Sequence, residues 1–256
     1  MTPILEVQNL VKRFGDFTAV AGVSFDIQEG EVFSLLGPNG AGKTTTISML
    51  SCLLTPTMGD AIIGGHSITK EPMAVKQIIG IVPQDIALYE DLNARENLEF
   101  WGRMYGMRGA ALKHRVAEVL EQIGLADKAK QRIKTYSGGM KRRVNIGVGL
   151  LHKPRILFMD EPTVGIDPQS RRNILDGIKD LNNQGMTVLY TTHYMEEAEE
   201  LSNRVGIVDH GKLIALGTQK ELTQMVGQLE ALRLHIPEGQ DTTPLVDSLR
   251  SLPDVK

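Results

Sequence analysis

The amino-acid sequence predicts an α/β fold with a mainly parallel sheet, a small antiparallel sheet at the N-terminus and an inserted α-helical subdomain. Three observations predict it. Short apolar runs alternate with helical runs from residue 32 to residue 216, as in a parallel sheet. Residues 4–27 alternate or cluster as strands, with no helix between them. Residues 85–150 show helical periodicity instead.

The N-terminal strands are expected over residues 5–10 and 20–27. Phe14 lies in the connection between them, directly before Gly15. An aromatic side chain there can close the edge of a core or stack on a purine, and the residue by itself favours packing. Its role therefore depends on whether other residues point to a purine.

A glycine-rich segment joins an expected buried strand at 32–36 to a helix at 45–50, in the pattern G-x-x-x-x-G-K-[ST]. Its residues are Gly37, Pro38, Asn39, Gly40, Ala41, Gly42, Lys43, Thr44 and Thr45. Glycines let backbone N–H groups surround an anion, and the helix N-terminus adds partial positive charge. Lys43 supplies a full charge for the β- and γ-phosphates, and the Thr44 hydroxyl is placed to ligate Mg²⁺. The segment predicts the phosphate loop of a phosphate-loop NTPase core.

The other elements are expected in the following places. Strands are expected over 61–63, 78–82, 155–159, 187–192, 205–209 and 212–216, the last two as a hairpin that turns at His210-Gly211. Helices are expected over 72–76, 171–181 and 195–201, the last of them strongly acidic. Within 85–150, one helix follows a capping box of Asn93 and Glu96, one covers 110–123, and one begins near Gly138.

The domain organisation follows from these patterns. Residues 1–220 are expected to form one domain, with the helical subdomain at about 85–150 inserted in its core. Residues 221–256 form a C-terminal extension, with a strand expected over 232–236 and a helix face over 245–252. The extension would fit part of an incomplete accessory domain.

Polar residues follow the carboxyl ends of the expected strands: the phosphate loop, Gln84, the pair Asp160-Glu161, and His193. Open α/β sheets bind ligands at this edge. Asp160 is expected as a second Mg²⁺ anchor through water, Glu161 to orient or deprotonate the attacking water, and His193 to donate toward the γ-phosphate. Each residue alone could cap a strand, but their joint placement favours a site for nucleotide hydrolysis.

A second anion-binding helix end is expected at Ser137-Gly138-Gly139, inside the helical subdomain. Ser137 can cap the helix, and the two glycines leave its first N–H groups bare. Since the phosphate loop already provides one phosphate site, this helix end is expected to contact the γ-phosphate of a nucleotide that is bound to a second copy of the chain or to a paralogue. An ordinary capped helix with a basic first turn is the alternative.

The composition excludes several classes of protein. The net charge is −3, which gives no indication of a nucleic-acid partner. A single cysteine excludes a disulfide framework or a cysteine zinc site within the chain. No apolar stretch approaches the roughly 20 residues of a membrane span, so a membrane role requires a partner.

Taken in order, these motifs resemble those of ATP-binding cassette (ABC) ATPases, the nucleotide-binding subunits of ABC transporters, over about residues 4–220. Phe14 matches the position of the adenine-stacking aromatic, residues 37–45 match the phosphate loop, and Gln84 matches the glutamine loop. Ser137-Gly138-Gly139 matches the signature, and Asp160 and Glu161 match the end of the Walker B strand. Asp167 matches the dimer-contact loop, and His193 matches the switch histidine. Tyr136 and Met140 stand where many members have leucine and glutamine. That form of the signature is similar to drug exporters of the daunorubicin-resistance type.

The resemblance implies an ABC ATPase fold and a subunit that binds and hydrolyses ATP to power a transporter. Export of drugs, lipids or other hydrophobic or polymeric substrates is expected. The implied cofactors are ATP and Mg²⁺, with Gln84 joining Thr44 and Asp160 around the metal and joining Glu161 and His193 in catalysis. A second ABC ATPase subunit, identical or paralogous, would form a head-to-tail dimer through Ser137, Gly138, Gly139 and Asp167. Transmembrane permease subunits docked near Gln84 and residues 85–105 would hold the protein at the cytoplasmic side of the cell membrane.

Two alternatives belong to other functional classes. A soluble ABC ATPase of DNA repair or translation is disfavoured, because the chain has no long coiled-coil insertion, no zinc cysteines and no second cassette. A non-hydrolysing module that senses nucleotide is disfavoured because Glu161 and His193 are both present.

Overall fold

The computed structural model describes residues 3–225. The chain divides into two units, Met1–Leu222 and Thr223–Lys256. The strand expected over 232–236 and the helix face expected over 245–252 lie outside the described residues.

The predicted strands and helices of residues 3–225 are present in the predicted order, and a strand at 66–67 and a helix at 219–225 were not predicted. The strands are β1 (Leu5–Phe14), β2 (Phe17–Ile27), β3 (Val32–Leu36), β4 (Met58–Ile63), β5 (His66–Ser67), β6 (Ile79–Val82), β7 (Ile156–Asp160), β8 (Thr187–Thr192), β9 (Arg204–Asp209) and β10 (Lys212–Gly217). The helices are α1 (Lys43–Leu50), α2 (Pro72–Ile78), α3 (Ala94–Met104), α4 (Gly109–Gln122), α5 (Gly138–Leu150), α6 (Pro168–Asn183), α7 (Met195–Leu201) and α8 (Gln219–Met225).

The N-terminal sheet is antiparallel, in the order β2-β1-β4-β5. Strands β1 and β2 extend further than predicted and meet in a tight hairpin. The expectation that Phe14 lies in a connection is wrong, because Phe14 is the last residue of β1 and pairs with Phe17. The side chains of β1 and β2 are exposed near the hairpin, so the alternating apolar pattern is lost there. The strand ends predicted from that pattern therefore fall short of the hairpin.

The central sheet has the order β10-β9-β3-β8-β7-β6 and is parallel except for the β9–β10 hairpin. Strands β3, β7 and β8 are buried along their whole length. Continuous apolar strands are typical of a parallel sheet whose two faces are both covered by helices. This arrangement places the carboxyl ends of β3, β7 and β8 side by side.

Helix α6 begins earlier than predicted. The apolar periodicity indicated a start at 171, but the helix begins at Pro168 because the Asp167 side chain accepts a hydrogen bond from Ser170 N at 2.9 Å. Proline is favoured in the first turn, where its missing N–H leaves no bond unmade. The polar first turn carries no apolar signal.

The helical subdomain between β6 and β7 contains α3, α4, two short 3₁₀ turns and α5. The capping box predicted at the start of α3 is present, with Asn93 and Glu96 each accepting from the other's backbone N–H at 2.9 Å. The apolar faces of these helices join the cluster that covers β7 and β8. Among residues 3–225, no helix is long and apolar enough to cross a membrane.

Candidate functional site

The phosphate loop occupies the turn between β3 and α1. Gly42 adopts a left-handed φ of 100°, and a Cβ there would lie 2.6 Å from the carbonyl oxygen of Ala19. A Cβ on Gly37 would overlap the carbonyl of Val208. Both positions therefore require glycine for different reasons, backbone conformation and close approach to neighbouring strands.

Lys43 is buried at the centre of this loop, with 4 % of its surface exposed. Its ammonium donates to the carbonyl oxygens of Gly37 at 2.7 Å and Pro38 at 3.0 Å. It also forms an ion pair with Glu161, with 3.0 Å between Nζ and Oε1. A buried ammonium with three oxygen partners is well stabilised, and its charge stays within the turn where the phosphate groups of a nucleotide would bind.

Glu161 lies between Lys43 and His193. Its second oxygen is 3.5 Å from Nδ1 of His193, and this buried nitrogen has no hydrogen-bond partner within residues 3–225. Glu161 has a φ of 43°, unusual for a residue with a side chain. Its N–H donates to the side chain of Thr191 at 3.0 Å, which fixes that conformation. Such backbone strain clusters at functional sites.

Asp160 ends β7 with its carboxylate buried. It accepts a hydrogen bond of 2.6 Å from the hydroxyl of Thr191 on β8. Across the described residues, no group of three His, Cys, Asp or Glu side chains could hold a metal by itself. Mg²⁺ is held in nucleotide sites by one or two protein oxygens together with water and phosphate oxygens. Thr44 and Gln84 line one cleft, and Asp160 directly precedes Glu161 of the same lining, so these oxygens are the candidates to hold such an ion.

One cleft of about 350 Å³ gathers six of the nine phosphate-loop residues together with Gln84 and Glu161, whereas Asp160 and His193 are not in its lining. Its lining consists of Phe17, Ala19, Asn39, Gly40, Gly42, Lys43, Thr44, Thr45, Gln84 and Glu161. Gln84 thus lines the same cleft as the phosphate loop.

The aromatic side chain in this lining is Phe17, not the predicted Phe14. Phe14 is 48 % exposed and lies under the ammonium of Lys12, 5.1 Å from the ring centroid. Phe17 is 64 % exposed, and its position beside the Gly15-Asp16 turn was the only signal for it in the sequence. The adenine-stacking role of Phe14 stays a prediction, with Phe17 as a second aromatic at the same hairpin.

The second anion-binding helix end is capped as predicted. Ser137 Oγ accepts from Met140 N at 3.3 Å, and Ser137 and Gly138 are exposed at the start of α5. None of residues 137–139 lines the cleft at the phosphate loop. Gly139 is buried instead, and a Cβ there would overlap Ser170 in the first turn of α6. A missing side chain at Gly139 is therefore needed for packing within the subunit.

Asp167 lies next to this contact. Its hydrogen bonds with Ser170 hold the pKa of its carboxyl below the usual range. The carboxylate is exposed, and it caps α6 at the position where the start of α5 packs. The structure thus brings the predicted signature and dimer-contact residues together, at a place separate from the lining of the phosphate cleft.

Arg142 is a residue that sequence reasoning missed. Its guanidinium, 3 % exposed, donates to the carbonyl oxygens of Pro83 at 2.7 Å and Gln84 at 2.6 Å. Burial lowers its pKa from the usual value, although the nearby carboxylates of Asp85 and Asp160 oppose the shift. Helical spacing could have revealed its burial, because Arg142 lies on the same face of α5 as the residues one turn later, which are buried.

Comparisons with known proteins agree with this geometry. The model of the family described as "ABC transporter" matches residues 20–164. The chain is 54 % identical to the linearmycin resistance ATP-binding protein LnrL of Bacillus subtilis, over 98 % of this chain and 80 % of that protein. It is 42 % identical to the daunorubicin/doxorubicin resistance ATP-binding protein DrrA of Streptomyces peucetius, over 93 % and 72 %.

Solved structures with the same fold include two ATP-binding cassettes. A cassette in its ADP conformation superposes with a TM-score of 0.79 and 25 % identity, over 90 % of this chain and 97 % of that one. A dimeric cassette in a post-hydrolysis state, bound to ADP and Pi, superposes with a TM-score of 0.75 and 29 % identity, over 84 % and 98 %. These likenesses confirm the predicted fold class.

Proposed function

We propose that this chain, which belongs to the ABC transporter family, is the ATP-binding and ATP-hydrolysing subunit that powers an exporter. The observation that carries the proposal is the buried Glu161, held between Lys43 of the phosphate loop and His193. The relatives named for linearmycin and for daunorubicin and doxorubicin resistance support export over import.

In the proposed reaction, a water molecule attacks the γ-phosphorus of ATP, and the bond from that phosphorus to the β–γ bridging oxygen breaks. Glu161 orients the water and takes its proton. Lys43 stabilises the charge on the β- and γ-phosphates, and His193 donates to the γ-phosphate. In this structure Glu161 accepts from Lys43, so bound phosphate oxygens would compete for that ammonium and leave Glu161 to the water.

The residues around the cleft suit a Mg²⁺ ion bound with ATP. We assign Thr44 and Gln84 as its direct protein oxygens and Asp160 as an anchor through water. The ion would neutralise charge on the phosphate groups during hydrolysis. The backbone N–H groups of residues 39–45 would surround the phosphates, with Phe14 against the adenine.

The second half of each site comes, in our proposal, from another ABC ATPase subunit. Ser137, Gly138 and Gly139 would contact the γ-phosphate on a second copy or paralogue, with Asp167 at the dimer contact. The exposure of Ser137 and Gly138 and their absence from the cleft of their own subunit support this arrangement. ATP would then favour the closed dimer, and hydrolysis would release it.

The membrane partners are proposed to be transmembrane permease subunits. They would dock near Gln84 and residues 85–105 and hold the chain on the cytoplasmic side of the cell membrane. In this proposal, residues 1–220 form the ATPase domain, with residues 85–150 as its helical subdomain, and residues 221–256 form an extension.

The variant Glu161→Gln tests the function. The amide carbonyl of the new side chain can still accept from Lys43, so we expect the fold and ATP binding to persist. Turnover should fall by about 10²–10⁴-fold, since a general base supplies that much, and a closed dimer should accumulate with ATP. Glu199→Gln, which alters an exposed carboxylate on α7, is the control. Near-normal turnover in Glu161→Gln would refute the assignment of Glu161, and absence of turnover in the unaltered protein would favour a nucleotide-sensing module.

A further inference from the structure

A buried carboxylate lies behind the proposed site and has no part in the reaction described above. Helix α7 carries four glutamates, of which Glu197 alone is buried, with 3 % of its surface exposed. A carboxylate removed from water is costly unless hydrogen bonds and an opposite charge compensate it. The hydrogen-bond and charge partners of Glu197 therefore indicate what this buried carboxylate does.

Three hydroxyl groups converge on Glu197. Thr163 donates to Oε1 at 2.7 Å, while Tyr190 and Thr192 donate to Oε2 at 2.8 Å each. These three hydroxyl groups supply the hydrogen bonds that a buried carboxylate requires. Burial and the charge of Glu197 raise the pKa of Tyr190 well above its usual value, so the Tyr190 hydroxyl keeps its proton and remains a donor.

The opposite charge is Arg171, at the start of α6. Its Nε lies 3.6 Å from Oε1 of Glu197, and its guanidinium stacks over the ring of Tyr194, 4.8 Å from the centroid. The Tyr194 ring in turn packs on His193, with 4.1 Å between centroids. The same cluster thus reaches His193 through the packing of Tyr194 and through Thr192, its neighbour along the chain.

The partners of Glu197 flank the two groups proposed to act on water and γ-phosphate. Thr163 follows Glu161 by two residues on the same loop, and Thr192 directly precedes His193. Since alternate residues of a strand face opposite sides, Thr191 binds Asp160 and the N–H of Glu161 on the other face of β8. The loop after β7 and the end of β8 are therefore tied on both faces.

We propose that Glu197 is a positioning residue for hydrolysis: by binding Thr163 and Thr192 together, it sets the separation between Glu161 and His193. The inference rests on the roles proposed for Glu161 and His193. Among the described residues, Glu197 forms no hydrogen bond or ion pair with the phosphate loop. Its loss should therefore affect the chemical step and leave nucleotide binding intact.

The test is Glu197→Gln in the full chain, measured for ATP affinity, steady-state turnover and thermal unfolding, with Glu199→Gln as the exposed control on the same helix. The amide keeps the size of the side chain but turns one acceptor into a donor that faces a hydroxyl. We expect kcat to fall by about 10- to 100-fold, the range for a misplacement near 1 Å. The Kd for ATP should stay within about threefold, the pattern of an interaction that matters only in the transition state.

A second measurement separates positioning from general loss of structure. In a His193→Ala background, Glu197→Gln should cost less than about threefold in kcat, because residues that act as a unit are not additive. Full multiplication of the two effects would overturn the proposal. Unchanged kcat in Glu197→Gln, or equal loss of kcat and ATP affinity, would overturn it as well.

A matched pair of variants covers the case in which Glu197→Gln does not fold. Thr192→Ser keeps the hydroxyl that donates to Glu197 and accepts from the N–H of Tyr194, and Thr192→Val removes both bonds at nearly constant volume. We expect near-normal kcat in the first and a fall of about tenfold or more in the second. Equal kcat in the two variants would overturn the proposal. If Glu161→Gln also retained turnover, the proposed function itself would fail, whereas a stalled Glu161→Gln with normal Thr192→Val would remove this inference alone.

Discussion

Substitution of Gly139 by alanine should destabilise the nucleotide-free subunit, because the start of α5 packs directly on α6. A Cβ built on Gly139 lies closer than 3.0 Å to both the Cβ and the Oγ of Ser170. Ser170 cannot easily move, since its N–H donates to the cap Asp167 at 2.9 Å. Gly138 offers a matched control, because its Cβ would meet only Ile166 Cδ1, at 3.5 Å.

The magnitude follows from two opposing effects. Forcing an extra carbon into a packed contact costs about 1–3 kcal/mol. Replacing a helical glycine by alanine returns about 0.5–1 kcal/mol through backbone entropy. Gly139→Ala should therefore lose up to about 2.5 kcal/mol of unfolding free energy, whereas Gly138→Ala should be neutral or slightly stabilised.

Urea unfolding of the nucleotide-free protein measures the difference. Ser170→Gly removes both atoms that the new methyl group would meet, and the next nearest atom, Ser170 Cα, is an ordinary 3.5 Å away. Gly139→Ala should thus cost much less in a Ser170→Gly background than by itself. The reasoning is refuted if Gly139→Ala is as stable as Gly138→Ala, or if Ser170→Gly brings no recovery.

The same double variant separates packing from catalysis. Alanine keeps the backbone N–H of residue 139, and its methyl group points toward Ser170, so Gly139→Ala with Ser170→Gly should recover both stability and turnover if packing is the reason for glycine. Recovery of stability without turnover would show that a second subunit also requires glycine at this position. A turnover defect in Gly139 variants is informative about the dimer only after this correction, because any side chain at this position meets Ser170.

Further outcomes are expected elsewhere in the chain. Burial lowers the pKa of His152 below 6.5, so the folded protein binds fewer protons than the unfolded chain. The unfolding free energy should therefore fall as the pH drops below 6.5. In His152→Gln, the contribution of His152 to this dependence of unfolding free energy on pH should be absent. Arg142→Gln should cost about 1–3 kcal/mol in urea unfolding by leaving the Gln84 carbonyl without its guanidinium donor, and an unchanged midpoint would contradict this. Asn93→Ala should lose about 1 kcal/mol of unfolding free energy, because it breaks the capping box with Glu96. The expected measurement is a decrease of about 2–4 °C in Tm. An unchanged Tm would contradict a stabilising role for the cap.

Local patterns were sufficient for much of the fold and for the phosphate loop. The apolar runs of β3, β7 and β8 are buried throughout, so composition alone marks them as strands. The capping box of α3 and the Ser137 cap of α5 depend on residues three apart, which a sequence shows directly. The residues at strand ends were predictable because a parallel sheet brings those ends together.

Buried polar partners were not predictable in this way. Helix α7 reads as an acidic surface helix, and nothing local marks Glu197 as the one carboxylate that turns inward. Arg142 reads as part of a basic surface turn, yet it is buried against the backbone carbonyls of Pro83 and Gln84. In each case at least one partner lies tens of residues away in sequence, so only packing decides which charge loses its water and must be compensated.

The sequence by itself predicted which side chains would handle phosphate and water, because a phosphate loop and the ends of parallel strands depend on local pattern and sheet direction. The tertiary structure decided how those groups are held: Glu161 between Lys43 and His193, and Gly139 against Ser170. Distances between segments far apart in the chain are set by packing of whole elements, and no local pattern encodes them.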